Sequence, residues 1–218
     1  MPNGYTGKIL HVDLTNAELK IEEPPEAFYR KYLGGSAMGM VYILRDMPRG
    51  TKALAPESVL TLMDGVTTGA PISGQSRLNA NARSPVSGAI GDSQSGGFFP
   101  AELKFAGFDG IVIKGRASRP VYLSILEGEA RLHDAGHLVG RLTGEVDGIL
   151  KDELGDKKIE VLQYGPAAEN GVIFSSLVSM ANRNNGRTGM GLVMASKNLR
   201  AIAVRGKERV IIADHEAL

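Results

Sequence analysis

The chain has 218 residues, 43% of them hydrophobic, which is enough to bury a core in one large domain or in two closely joined halves. Lysine plus arginine (25) nearly cancels aspartate plus glutamate (24), so no overall basic field draws nucleic acid or anionic membrane, and any anion site must be local. The chain has no cysteine for disulfides, thiolate metal sites or iron–sulfur ligation; without a membrane-length apolar run or, at Met1-Pro2-Asn3-Gly4, a signal peptide, it reads as cytoplasmic.

In chain order, residues 7 to 23 read as a hairpin, with alternating segments Lys8 to Leu14 and Glu18 to Glu23 around a Thr15-Asn16 turn. Glu26 to Asp46 carries apolar residues at helical spacing, interrupted at Gly34-Gly35, and predicts two short helices that end by Pro48. Val59 to Met63 is a buried-strand candidate, followed by a loop system from Gly65 to Gly97. Pro100 to Ala106 reads as a helix with proline near its first turn. Strands follow at Gly110 to Lys114, Val121 to Glu127 and Glu129 to His133. The spacing then predicts an amphipathic helix from Leu138 to Leu154, a strand over Ile159 to Gln163, and a second loop system from Gly165 to Gly191.

An internal echo organises these pieces. Phe108 to Arg116 matches Leu199 to Lys207 position for position in character, and each copy follows a strand, a glycine-rich loop with arginine and a short helix. This reads as a duplication whose two halves each present one glycine loop. Glycine is the compositional anomaly at 28 residues, roughly twice the usual share of about 7%, and its clusters mark where backbone turns sharply or lies against a ligand.

Three stretches of these loops suit an oxyanion. Ser73-Gly74-Gln75-Ser76-Arg77 sets a guanidinium beside freed backbone, and Gly91-Asp92-Ser93-Gln94-Ser95-Gly96-Gly97 is expected to open a helix with exposed N–H groups. Asn182 to Gly191 repeats the recipe with Arg183, Arg187, amide side chains and three glycines, and the amides could read a heterocycle edge. Ordinary tight turns and surface braces are the alternatives. No P-loop, nucleophile elbow or Ser/His/Asp constellation is present, and His133 with His137 lacks a third ligand for zinc. The residues point to a phosphate-bearing ligand and say little about a reaction.

Several segments carry a more specific signal: Gly4 to Leu10, Tyr32-Leu33-Gly34-Gly35, Leu54 to Ser58, Arg83-Ser84-Pro85, Ser95 to Phe99, Glu102 to Val112 and Met194 to Leu199. Collinear over nearly the whole chain, they resemble the N-terminal domain of the tungsten-containing aldehyde:ferredoxin oxidoreductase family. The resemblance implies an α+β fold, an internally duplicated unit with two β-sheets and short flanking helices, over residues 1–210, with 211–218 beginning a linker to missing C-terminal domains. It implies a tungsten (or molybdenum) bis-molybdopterin, with magnesium bridging the pterin phosphates through the main-chain carbonyls of Gln94 and Asn184. Arg77, Ser95, Gly96, Gly97, Arg183, Asn185, Gly186 and Arg187 fall on cofactor-binding positions. The family usually has asparagine where this chain has Gln94, and a small residue at Asn184. The expected activity is aldehyde oxidation to a carboxylic acid, with electrons leaving through a 4Fe-4S cluster held by the missing domains to ferredoxin, in a homo-oligomer. No catalytic residue is expected in this chain. A stand-alone carrier of pterin or another phosphate ligand, without redox activity, is the alternative.

Overall fold

A computed structural model describes residues 3–218; the signal-peptide reading at Met1 and Pro2 lies outside the described residues. The first half of the chain contributes β1 (Ile9–Asp13), β2 (Glu18–Glu22), α1 (Glu26–Tyr32), α2 (Gly35–Asp46), β3 (Leu60–Asp64), β4 (Leu78–Arg83), β5 (Ile90–Ser95), α3 (Phe99–Phe105) and β6 (Gly110–Lys114). The second contributes β7 (Val121–Leu126), β8 (Glu129–Asp134), a 3-10 turn (Gly136–Leu138), α4 (Thr143–Glu153), β9 (Glu160–Gln163), α5 (Pro166–Glu169), β10 (Leu177–Ser179), β11 (Arg183–Asn185), α6 (Met190–Ala195) and β12 (Leu199–Arg205). They form two six-stranded sheets, ordered β2-β1-β6-β3-β4-β5 and β11-β10-β9-β12-β7-β8.

The second order, read backwards, is the first with six added to every strand number. In each sheet only the pair β1 with β6, or β7 with β12, is parallel, and every other neighbour is antiparallel. The echo between Phe108–Arg116 and Leu199–Lys207 is therefore the central strand of each repeat: Ile111 pairs with Leu62 as Ile202 pairs with Leu162. Inner faces of both sheets pack on one another through Leu62, Ile111, Ile113, Leu162, Ile202 and Val204, all buried. The outer faces are covered by α1 and α2 on one side and by α4 on the other.

Several local expectations change. The Gly65–Gly97 loop system contains the β4–β5 hairpin, and Gly91 to Ser95 is a strand; it does not open a helix. Its sequences, LNANAR and IGDSQS, lack the β-branched and aromatic residues that favour strands, so pairing with β3 imposes the conformation. The Gly165–Gly191 system likewise holds α5, β10, β11 and the start of α6. The helix expected from Leu138 begins at Thr143, because Gly136 to Leu138 close a 3-10 turn and Leu142 caps α4 in extended backbone. There Glu145 Oε2 accepts the Leu142 N–H at 2.7 Å.

Aligned positions Asp109 and Arg200 show how the halves diverged. The Asp109 carboxylate accepts the N–H groups of Thr6 and Gly7 at 2.8 to 3.1 Å. The fully buried Arg200 guanidinium instead donates to carbonyls of Leu138, Arg141 and Tyr164 and pairs with Glu169 at 3.1 Å. Each charge satisfies orphaned backbone in its own half. Lys197 joins the halves: from the turn after α6 its buried ammonium donates to Pro56, Ser58 and Gly115 carbonyls of the first repeat, and burial pushes its pKa down to about 8. Lys197→Ala strands those carbonyls, so urea unfolding should register a loss of about 2 to 4 kcal/mol; a loss within a few tenths would show that other groups or water serve them equally.

Glu160 sits half-buried on β9, where burial first, then Asp147 and Glu102, pushes its carboxyl up to about 7 from an ordinary 4.5. The folded-state value is raised, so its contribution to stability is complete below pH 4.5 and is lost as pH rises through about 7. Glu160→Gln should therefore raise the melting temperature at about pH 8 and change it little at about pH 5. An equal shift at both values would assign the effect to packing instead.

Candidate functional site

The duplication leaves β5 and β11 as corresponding edge strands, and the fold sets these two edges against each other. Ser95 and Asn185, the last residues of the two strands, meet there: Ser95 Oγ donates to Asn185 Oδ1 at 2.9 Å. Asn185 is fully buried and its Nδ2 donates to the Ser93 carbonyl at 2.7 Å, while Ser93 Oγ accepts the Arg187 N–H at 3.0 Å. These bonds fix the preceding pair, Gln94 and Asn184, on either side of the seam.

Two cavities open beside it. The larger, about 930 Å³, is lined by Arg77, Gly96 and Gly97 of the first repeat and by Arg183 of the second, with an apolar wall that includes Ile72, Phe98 and Met180. The smaller, about 510 Å³, is lined by Asp92, Ser93 and Gln94 of the first repeat and Asn184, Gly186 and Arg187 of the second. Each draws on both halves. Residues about a hundred positions apart thus line the same cavities. Ser95 and Asn185 line neither cavity and join the strand ends instead.

Glycine lets the walls close up. A Cβ on Gly96 would lie 2.6 Å from Arg77 Nη1, and one on Gly97, at φ 101°, 2.7 Å from Met180 Sδ and 3.0 Å from Arg183 Cγ. The Arg77 backbone is fixed by the buried Thr68, whose hydroxyl accepts the Arg77 N–H and donates to the Arg77 carbonyl, both at 3.2 Å. Gln75 braces the same loop through the Gly69 N–H at 3.0 Å and the Ala70 carbonyl at 2.8 Å. Beneath it, Lys104 is buried between the Gly4 and Val66 carbonyls and lies 3.8 Å from Asp109. Burial lowers its pKa and raises that of Asp64, whose two oxygens have no partner among the described residues.

Sequence reasoning missed Asp92, Thr68 and Gln75 as site residues, along with Arg209 and His215, which line the larger cavity from the segment after β12. Asp92 stood in the open, inside a glycine-rich stretch already singled out. Arg209 and His215 carried no signal, because nothing in their spacing says the chain doubles back. His133 and His137 are not a metal pair: His133 Nε2 bonds to Ser124 at 2.8 Å and His137 Nε2 to Glu153 at 3.1 Å. Among the described residues no cluster of three His, Cys, Asp or Glu could hold a metal, and no helix is long and apolar enough to cross a membrane.

Each cavity sets at least one guanidinium beside glycine backbone, a lining that suits an oxyanion. The donor set agrees: among the described residues Arg77, Arg183, Arg187 and Arg209 have no carboxylate partner.

Comparison with known proteins agrees with this architecture. The family profile described as "Aldehyde ferredoxin oxidoreductase, N-terminal domain" matches residues 9–206. A tungsten-containing aldehyde ferredoxin oxidoreductase of Pyrococcus abyssi is 42% identical over 211 residues, which is 97% of this chain and 35% of that protein. An aliphatic sulfonate oxidoreductase, WOR-like subunit, of Pyrococcus furiosus is 30% identical over 217 residues, 93% of this chain and 34% of that one. In solved structures, a chain of the active site complex BamBC of benzoyl coenzyme A reductase superposes with a TM-score of 0.95 at 32% identity, covering 99% of this chain and 33% of that chain. The chain thus spans about a third of the length of the curated relatives it matches. The profile match and the shared fold establish that this chain belongs to the aldehyde ferredoxin oxidoreductase family and corresponds to its N-terminal domain.

Proposed function

We propose that the two cavities cradle the ends of a tungsten (or molybdenum) bis-molybdopterin, and that the chain serves as the cofactor base of an aldehyde-oxidising enzyme. The observation that carries this reading is the single large cavity in which Arg77, Gly96 and Gly97 meet Arg183 of the other repeat. Arg77 and Arg183 offer charge-assisted hydrogen bonds to one phosphate and Arg187 to the other. Gln94 and Asn184 line the smaller cavity together, and their main-chain carbonyls would hold the magnesium ion. Main-chain ligation explains why glutamine and asparagine serve at these positions. When bound, the metallopterin supplies the redox centre. This chain's residues bind it, orient it and shield one face of it from water.

The reaction, in this reading, is oxidation of an aldehyde to a carboxylic acid in the cytoplasm. Proton transfer, the 4Fe-4S cluster, the contact with ferredoxin and the homo-oligomer interface belong to further domains of the same enzyme, beginning after the linker at 211–218. The relatives named for a sulfonate and for benzoyl coenzyme A share this domain but not a substrate. Substrate choice therefore rests with those other domains. A carrier without redox activity would need the same cradle, and the rest of the protein separates the two.

The 218-residue chain alone should fold yet retain no stoichiometric tungsten after purification, because the cradle covers only one face of the cofactor; elemental analysis showing one metal per chain would overturn this. In the full-length enzyme, Arg77→Ala should leave the melting temperature within a few degrees while cutting pterin and tungsten content, since one charge-assisted contact contributes about 1.5 to 3 kcal/mol. Unchanged cofactor content would remove Arg77 from the site.

A further inference from the structure

The helices on the outer faces of the two sheets, α2 and α4, hold the same place in their repeats, between the second and third strands. Each buries one stripe: α2 sets Met38, Tyr42 and Ile43 on the first sheet, and α4 sets Val146 and Leu150 on the second. They differ in what they show to solvent. The exposed positions of α4 are Gly144, Glu145, Gly148, Asp152 and Glu153, a face that water solvates well. Along α2, GSAMGMVYILRD, no charge occurs before Arg45. Its open side carries Ala37, Val41 and Leu44 at helical spacing with Met40 beside them, and Leu44 is 76% exposed. A single exposed leucine is ordinary. A helix apolar all round belongs inside a protein, however, and α2 is covered on one side only. The duplication supplies the control, because the equivalent helix has a charged face.

Leu33, just ahead of α2, is a second anomaly. Its backbone lies at φ 59°, ψ −67°, with the Gly34 N–H donating to the Tyr32 carbonyl at 2.7 Å across a tight turn. That conformation suits glycine and strains leucine. The side chain is nevertheless 61% exposed, so little packing within this chain offsets the strain.

This apolar surface begins beside the candidate site. Ser36, in the first turn of α2, accepts a hydrogen bond from Asn79 Nδ2 at 2.7 Å, and Asn79 also donates to Asp92 Oδ1, at 3.2 Å, on the wall of the smaller cavity. A body closing over that cavity from the α2 side meets Leu33 and Ala37 first. This chain covers 35% and 34% of the two relatives described above, so most of each of those polypeptides lies outside the matched region.

We infer that the outer face of α2, from Leu33 to Leu44, seats an apolar surface of the further domains of the same polypeptide, and that the matching face of α4 stays in water. The inference rests on the reading above that further domains complete the enzyme, and it names where they dock.

Thiol accessibility tests this, since the chain has no cysteine of its own. Leu44→Cys and Asp152→Cys are made in the 218-residue chain and in the full-length enzyme, and alkylation at each position is followed by peptide mass mapping. In the 218-residue chain the two sites should react at similar rates. In the full-length enzyme Leu44→Cys should react about tenfold more slowly at every protein concentration, while Asp152→Cys keeps its rate. Leu44→Glu should lower the melting temperature of the full-length enzyme and leave that of the 218-residue chain within about a degree. Equal rates for Leu44→Cys in both proteins overturn the inference, as does equal slowing at Asp152→Cys. Protection that fades on dilution, or that grows with concentration in the 218-residue chain, overturns it too by assigning the face to a second copy. Tungsten content of the wild-type full-length enzyme is read separately: an enzyme that protects position 44 but lacks metal would refute the cofactor cradle and leave the docking face standing.

Discussion

The site depends on how two edge strands are brought to rest against each other. An edge strand presents unpaired backbone groups and usually needs protection. Here β5 and β11 protect one another at the seam between repeats, through side chains and not through a continuous ladder: Ser95 with Asn185, Asn185 with the Ser93 carbonyl, Ser93 with the Arg187 N–H. Because the two sheets are not fused at this point, carbonyls and loop backbone stay available beside the seam. Fusing them would have buried those groups.

Duplication supplies the rest of the geometry. Two copies of one topology, packed through their inner faces, place equivalent loops side by side without any new architecture. The copies then diverged where each had its own backbone to satisfy, as the acid at Asp109 and the base at Arg200 show. Lys197 goes further and spends a charge on carbonyls of the other copy. The Asp64, Lys104 and Asp109 cluster, set under the loop that carries Arg77, belongs to the first copy alone.

Much of this was legible in the sequence. The echo at Phe108–Arg116 and Leu199–Lys207 disclosed the duplication because central strands are apolar on both faces and end on a basic glycine turn. Arg77, Gly96, Gly97 and Arg183 line one cavity, and the sequence offered them for an oxyanion because arginine beside glycine pairs a charge with freed backbone. The β4–β5 hairpin was not, since Asn79, Asn81 and Ser93 are strand residues by partnership and not by propensity: Asn79 serves Ser36 and Asp92, and Asn185 serves Ser93 and Ser95. Ser95 and Asn185 were expected to touch the cofactor, yet each is turned toward the other. Side-chain direction at a seam is decided by the partner strand, which a linear pattern does not contain. Arg209 and His215 were invisible for a similar reason, since their place is set by tertiary docking at Phe105 and Gly4.

That both cavities take residues from both repeats has a consequence for how the protein is made. Contacts between residues about a hundred positions apart form late, after the loop-closure entropy of the intervening chain has been met. Neither cradle can exist while only the amino-terminal repeat has emerged during synthesis, even if that repeat has already folded. A ligand that needs both repeats, as the proposed metallopterin does, then finds no half-built site to occupy prematurely, and its binding must follow completion of the second repeat.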